Sequence, residues 1–282
     1  MSRSQYLPHS SGEKAGNAAV GVPHRHYALT DSTNAQAREL AAAGAPHGTV
    51  VTADEQTEGR GRQGRVWVAP RGRALLYSLL LRSLGDRPLL PLAAALAVCE
   101  SAEEIASNLP GEAKQAPGPL KCKVKWPNDV QVEGRKLAGI LIEARPQDDW
   151  AVIGVGLNLT IAPDEFPPDL RDRATSLAPA PLTSTGAPAV PGATFYPPIW
   201  GIKRCTGLLN GRLGRWIDAP DEAILAAWGE RDALRGREVF WEGGPGKSGS
   251  GIAGGVDGRG NLVVAGAGGT VSLNAGEVHL SA

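Results

Sequence analysis

The run Ala74-Leu75-Leu76-Tyr77-Ser78-Leu79-Leu80-Leu81 constrains the fold more than any other stretch of the chain. It is almost continuously apolar and reads as a central strand of a sheet, buried rather than half-exposed. A long apolar, alanine-rich stretch, Leu89 to Leu109, follows and reads as a core helix containing Cys99. Farther on, Trp150-Ala151-Val152-Ile153-Gly154-Val155-Gly156-Leu157-Asn158-Leu159 is a second buried strand, whose glycines mark close backbone approach. A sheet with helical cover is the frame into which the polar segments must fit.

The 282 residues suffice for one large domain, or for a domain with a smaller appendage. Formal net charge is zero, so no global field draws in nucleic acid or membrane, and any attraction must be local. Cys99, Cys122 and Cys205 lie far apart with no C-x-x-C, which speaks against a disulfide framework and a zinc site. Met1 to His26 lacks the apolar core of a signal peptide, and no stretch is long enough to span a bilayer. A cytoplasmic protein is expected. Residues 1–25 read as a disordered tail, and His24 and His26 as surface histidines without a third metal ligand.

Between Gly59 and Arg73 stand five arginines, four glycines and no acid. Guanidinium forks match carboxylate or phosphate oxygens in pairs, and glycine lets backbone N–H groups approach a ligand. Composition alone leaves two readings open, an anion-binding loop and a solvated basic loop. Gly59, Gly61 and Gly64 fit the G-x-G-x-x-G spacing, but Val66-Trp67-Val68-Ala69-Pro70 is β-like and then broken, so no helix opens there as a dinucleotide site requires. A kinase glycine loop is equally unsupported, because the V-A-I-K, H-R-D and D-F-G motifs are all absent.

Upstream, Asp31-Ser32-Thr33-Asn34 leads into an alanine-rich helix. Four consecutive capping residues exceed what one helix start needs, so the surplus could bind a polar ligand. Downstream, Lys121 to Lys125 alternates as a strand with one basic face, and Pro127-Asn128-Asp129 is a turn. Residues 131–143 read as strand, turn, strand. From Ala178 to Gly211 the chain is rich in Pro, Gly and Thr and reads as irregular, with Phe195 to Trp200 unassigned; helical character resumes over Ile217 to Leu234. Arg237 to Trp241, Gly249 to Val256, Asn261 to Val264 and Thr270 to Leu273 are short, turn-separated strands.

The blocks Asp31-Ser32-Thr33-Asn34, Gln56 to Trp67, Lys125-Trp126-Pro127-Asn128-Asp129 with Arg135 to Leu141, and Gly154-Val155-Gly156-Leu157-Asn158 together resemble the biotin protein ligases in order and spacing. The resemblance implies an α+β fold: a mixed central β-sheet flanked by helices, like the class II aminoacyl-tRNA synthetases, over 26–233, and a small SH3-like barrel over 234–282. It implies that Ser32, Thr33, Asn34 and Gln56 bind the biotin head group. Gly59, Arg60, Arg62 and Lys136 would hold its carboxylate. Arg62, Arg65, Trp67, Asn128 and Asn158 would lie on the ATP side, and Lys136, Arg62 and Asp129 would carry the chemistry. Magnesium would come with ATP, no protein metal site is implied, and the acceptor would be a lysine of a biotin carboxyl carrier protein. Lys125 is a weaker candidate on the same basic strand. Too few residues precede the first block for a helix-turn-helix, so DNA binding is not expected, and a monomer or homodimer fits. The alternatives are a lipoate or octanoyl transferase of the same fold and a nucleic-acid-binding surface around Trp67 and Trp126.

Overall fold

The structure is a computed structural model and describes residues 20–83, 85–109, 118–178, 202–242, 248–274 and 276–280. Its larger sheet has seven strands: β1 (His24–Tyr27), β2 (Val50–Ala53), β3 (Ala74–Arg82), β4 (Lys123–Lys125), β5 (Asp129–Val132), β6 (Arg135–Arg145) and β7 (Trp150–Asn158). Their order is β1-β2-β3-β7-β6-β5-β4. The sheet is mixed: β1 and β2 run parallel and every other pair is antiparallel. β3 and β7, the two runs expected to be buried, pair over their full length inside it, Ala74 opposite Asn158 and Arg82 opposite Trp150.

Side chains alternate across a strand, so register decides what each face carries. Leu75, Tyr77, Leu79 and Leu81 share one core with α2 (Leu90–Ser107), α3 (Ile202–Ile217) and α4 (Asp221–Arg231). Complete burial of a leucine stabilises by about 2 kcal/mol, so the leucines of this face are a large contribution to the sheet's stability. On the other face Leu80, Val152 and Trp150 pack with Val51 and with Ala37 and Ala41 of α1 (Thr33–Ala42). Alanine there lets α1 lie close to the sheet.

The tail expected over residues 1–25 is shorter than that, since its last two residues, His24 and Arg25, are in β1 and pair with Val50 and Val51 of β2. Three further expectations change. The segment read as irregular up to Gly211 contains the first part of α3. Gly207, Gly211 and Gly214 lower its helix propensity, but Cys205, Leu209, Leu213 and Ile217 recur every four residues and are buried. Tertiary packing decides, and that stripe is the signal composition concealed. Second, the helical character expected over Ile217 to Leu234 is divided, α3 ending at Ile217 and α4 occupying Asp221–Arg231. Phe195 to Trp200 lies outside the described residues.

Third, the C-terminal strands form a five-stranded antiparallel sheet of β8 (Glu238–Glu242), β9 (Ser248–Val256), β10 (Leu262–Gly266), β11 (Gly269–Leu273) and β12 (Glu277–Leu280), in the order β11-β10-β9-β8-β12. Among the described residues β11 does not pair with β12, so the sheet is open rather than a closed barrel. Its inner residues Val239, Trp241, Ala253, Leu262, Val264 and Val278 join the core around α2. The Trp126 indole N–H donates to the Gly260 carbonyl at 3.0 Å, tying the turn after β9 to the larger sheet. Cys99, Cys122 and Cys205 are all buried. Among the described residues no helix is long and apolar enough to cross a membrane.

Candidate active site

The open stretch of the α1 face is where the polar motifs converge. Ser32 has extended backbone and caps α1, its hydroxyl oxygen accepting from the Ala35 N–H at 3.5 Å. Asp31 is occupied beside it, taking hydrogen bonds from the Ser32 N–H at 2.6 Å, the Thr30 hydroxyl at 2.9 Å and the Gln36 amide at 3.2 Å. Burial alone would raise its pKa; these donors outweigh it and hold the carboxyl below its ordinary range.

Thr33 and Asn34 then turn inward and are buried. The Gln56 carbonyl oxygen accepts from the Thr33 N–H at 2.7 Å and lies 3.0 Å from the Thr33 hydroxyl. Ser78, the polar interruption of the apolar run, sits 2.9 Å from the Thr33 hydroxyl and 2.6 Å from the Asn34 carbonyl oxygen. The Asn34 amide donates to Glu143 at 2.8 Å, and Glu143 pairs with Arg38 at 2.9 Å. Asn34 fits because residue 154 is glycine: a methyl group there would collide with its carboxamide.

The arginine-rich stretch is an ordered hairpin. The Gly61 N–H donates to the Arg65 carbonyl at 2.7 Å and the Trp67 N–H to the Gly59 carbonyl at 3.0 Å. A 3-10 turn at Arg62–Gly64 closes it, with Gln63 and Gly64 at φ of 56° and 74°. Gly59 is required for close approach, since a methyl there would run into the Trp67 carbonyl. Trp67 lies flat over the sheet where residues 139 and 156 are glycines, and a methyl on either would press on the indole. Its indole N–H is buried without a partner among the described residues.

Beyond the hairpin is the cationic half of the site. Arg62 is half-buried and donates to the Asn128 carbonyl oxygen at 3.2 Å. Burial lowers its pKa, Asp129 opposes that and Arg65 adds to it, but a guanidinium stays charged throughout. The Asn128 amide donates to the Ile140 carbonyl at 2.8 Å, which fixes its orientation. Lys136 pairs with Asp129 at 2.7 Å, and its ammonium stands 5.7 Å from the centre of the Trp67 ring, within cation–π range. Lys125 faces Asp129 across the β4/β5 ladder. Burial is the main cause that lowers its pKa; Asp129 opposes it and Arg173, Lys136 and Arg65 reinforce it.

A cavity of about 810 Å³ opens between the hairpin and β6, lined by Arg60, Arg62, Arg65, Asn128 and Glu143, with Asn274, the residue after β11, also lining it. The structure therefore gathers two clusters on either side of Gly59 to Arg65. Ser32, Thr33, Asn34 and Gln56 form one; Arg62, Asn128, Asp129, Lys136 and Trp67 form the other. Asn158 stands apart: its buried amide donates to the Thr175 carbonyl at 2.9 Å and its backbone carbonyl accepts from the Leu177 N–H at 3.1 Å, which pins the 175–178 segment. Sequence reasoning passed over Ser78, Glu143 and Gly139. Ser78 had a signal, a lone hydroxyl in an apolar strand in register with Gly154.

Residues 27–159 match the Biotin/lipoate A/B protein ligase family. The chain is 36% identical to the biotin--[acetyl-CoA-carboxylase] ligase of Mycobacterium tuberculosis over 90% of its length and 87% of that protein's. It is 34% identical to the ligase of the same name from Paracoccus denitrificans, over 89% and 98% of the two chains. Against the bifunctional ligase/repressor BirA of Bacillus subtilis identity is 40% over 55% of this chain, which spans about half, 46%, of that relative's length. Among solved structures, the biotin protein ligase from Aquifex aeolicus in complex with biotin and ATP superimposes with a TM-score of 0.70 at 25% identity, covering 92% of this chain and 98% of that one.

Proposed function

Because the chain belongs to the biotin/lipoate A/B protein ligase family, we propose that it activates biotin with ATP and transfers it to a lysine of a biotin carboxyl carrier protein. The observation that carries this reading is the pairing of two unlike clusters across one glycine-rich hairpin: neutral hydrogen-bonding groups on one side, and Arg62, Lys136 and Asn128 on the other. A ureido head group is a small array of donors and acceptors, which Ser32, Thr33, Asn34 and Gln56 suit. A carboxylate and a triphosphate are two anions that repel each other, which the arginines and Lys136 would offset.

In the first step the biotin carboxylate attacks the α-phosphorus of ATP, the bond to the β-phosphate breaks, and biotinoyl-5′-AMP and pyrophosphate form. Arg60, Arg62 and Arg65 would hold the reacting anions and Lys136 would bridge carboxylate and α-phosphate, leaving Asp129 as the pair moves. In the second step a carrier lysine, losing its proton toward Asp129, attacks the acyl carbon and AMP leaves. No protein nucleophile is needed. Trp67, Asn128 and Asn158 complete the nucleotide side, Asn158 by holding the 175–178 segment. Magnesium would come with ATP, carried on the triphosphate's own oxygens.

On this reading 26–233 is the catalytic domain, 234–282 is an opened SH3-like domain supporting it, and the protein works in the cytoplasm as a monomer or homodimer, without DNA. The test is biotin-dependent ATP–pyrophosphate exchange by the whole chain. Exchange with biotin and not with lipoate is the expected result; exchange with lipoate alone, or none from folded protein, would overturn the proposal.

A further inference from the structure

Resting on the reading above, the geometry points to Glu143 as a positioning residue for recognition of the acid: through Asn34 and Ser78 it orders the hydrogen bonds so that Thr33 offers its hydroxyl to the ligand as an acceptor. The direction of each bond follows from what each atom can do. The Glu143 carboxylate only accepts, so Asn34, 2.8 Å away, must present its amide nitrogen to it. A second acceptor, the Leu141 carbonyl at 3.4 Å, holds the same nitrogen in place. The Asn34 oxygen is therefore turned toward Ser78, 2.6 Å away, and because that oxygen only accepts, the Ser78 proton must go to it.

Ser78, having given its one proton to Asn34, can only accept from Thr33 at 2.9 Å. The single Thr33 hydroxyl proton thus faces two acceptors within the protein, Ser78 at 2.9 Å and the Gln56 oxygen at 3.0 Å. None remains for a ligand. Gln56 is oriented by the same chain: its oxygen takes the Thr33 N–H at 2.7 Å, and its amide nitrogen has no partner among the described residues. The pair therefore offers one acceptor and one amide donor, complementary to the N–H and C=O of a cyclic urea. A sulfur ring without N–H groups would leave the acceptor unmatched.

Glu143 supplies both charge and direction. A chain of hydrogen bonds that ends on a carboxylate polarises each member toward it, which makes the Thr33 oxygen a better acceptor. Arg38, at 2.9 Å from the other carboxylate oxygen, and the slot over Gly154 keep Glu143 and Asn34 in place. If residue 143 could donate, Asn34 could turn over, Ser78 would donate to Thr33, and one Thr33 lone pair would be blocked.

The test is a double-mutant cycle on Glu143→Gln and Thr33→Val in pyrophosphate exchange, with thermal melts as a control. Glu143→Gln should raise KM for biotin about tenfold, the loss of roughly one hydrogen bond, while KM for ATP and kcat hold. In the Glu143→Gln background Thr33→Val should add little, because both changes remove the same interaction. Ser78→Ala, which breaks the chain in the middle without altering a charge, should reproduce the biotin KM effect if Glu143→Gln folds poorly. Additive costs, or KM values for biotin and ATP that rise together, would overturn the network while leaving the proposed activity standing. No biotin-dependent exchange in the unmutated protein would overturn both.

Discussion

On β3 the odd-numbered residues Leu75, Tyr77, Leu79 and Leu81 belong to the core shared with α2 and α3, whereas the even-numbered Ser78 faces α1 and the candidate site. β7 divides in the same way: Ile153, Val155 and Leu157 pack into the helical core, while Gly154 and Gly156 lie beneath Asn34 and Trp67. Beside the site the same two strands thus carry large apolar side chains on one face and only a hydroxyl and glycines on the other, whose apolar residues Leu80, Trp150 and Val152 pack farther along against α1. A site lined by buried hydroxyls and amides gives little apolar burial, so the fold must draw stability from the opposite face. The difference teaches that stability and chemistry are separated here by residue parity, not by distance along the chain.

That separation can be broken from either side. Lys136→Ala should have the largest effect, slowing adenylate formation about a thousandfold, which corresponds to about 4 kcal/mol in the barrier, with an unchanged melting temperature. Near-normal exchange by the variant would remove Lys136 from the chemistry. From the other face, Leu79→Ala should lower unfolding free energy by about 3 kcal/mol, read by denaturant titration, with kcat per folded molecule unaltered. A loss of activity at full folding would show that the faces are coupled.

The finest probe is Tyr77→Phe. Tyr77 is buried and donates to Asn210 at 2.7 Å, so its loss should cost about 1 kcal/mol at neutral pH. Burial pushes the phenol pKa up. A group whose folded pKa lies above its unfolded one stabilises below the unfolded value and loses that contribution as pH rises, so the native protein should weaken above about pH 10. The phenylalanine variant should show a smaller alkaline loss, and an identical loss would place the titration elsewhere.

The helical face was the more legible in sequence. The run Ala74 to Leu81 and the apolar stretch Leu89 to Leu109 announce burial by composition, and the structure has β3 and α2 there. α3 was hidden because its glycines and the Pro-rich chain before it argue locally for a loop, and only contact with the core overrides them. At the site the short motifs placed Thr33, Gln56, Arg62, Asn128 and Lys136 in two adjoining clusters. Glu143 could not be read as part of the first: it is distant in sequence, and only the β6/β7 register turns it toward Asn34. β12 was missed for the same reason, since four residues near the chain end carry too weak a pattern and are defined by their pairing with β8.

The burial of all three cysteines has a practical side. With Cys99, Cys122 and Cys205 enclosed, the folded chain is a dark background for thiol-directed dyes. Val66, at 66% exposure on the rim of the arginine hairpin, is a position where one grafted thiol could carry a fluorophore, whose colour and anisotropy would then report on the hairpin alone as each substrate is added.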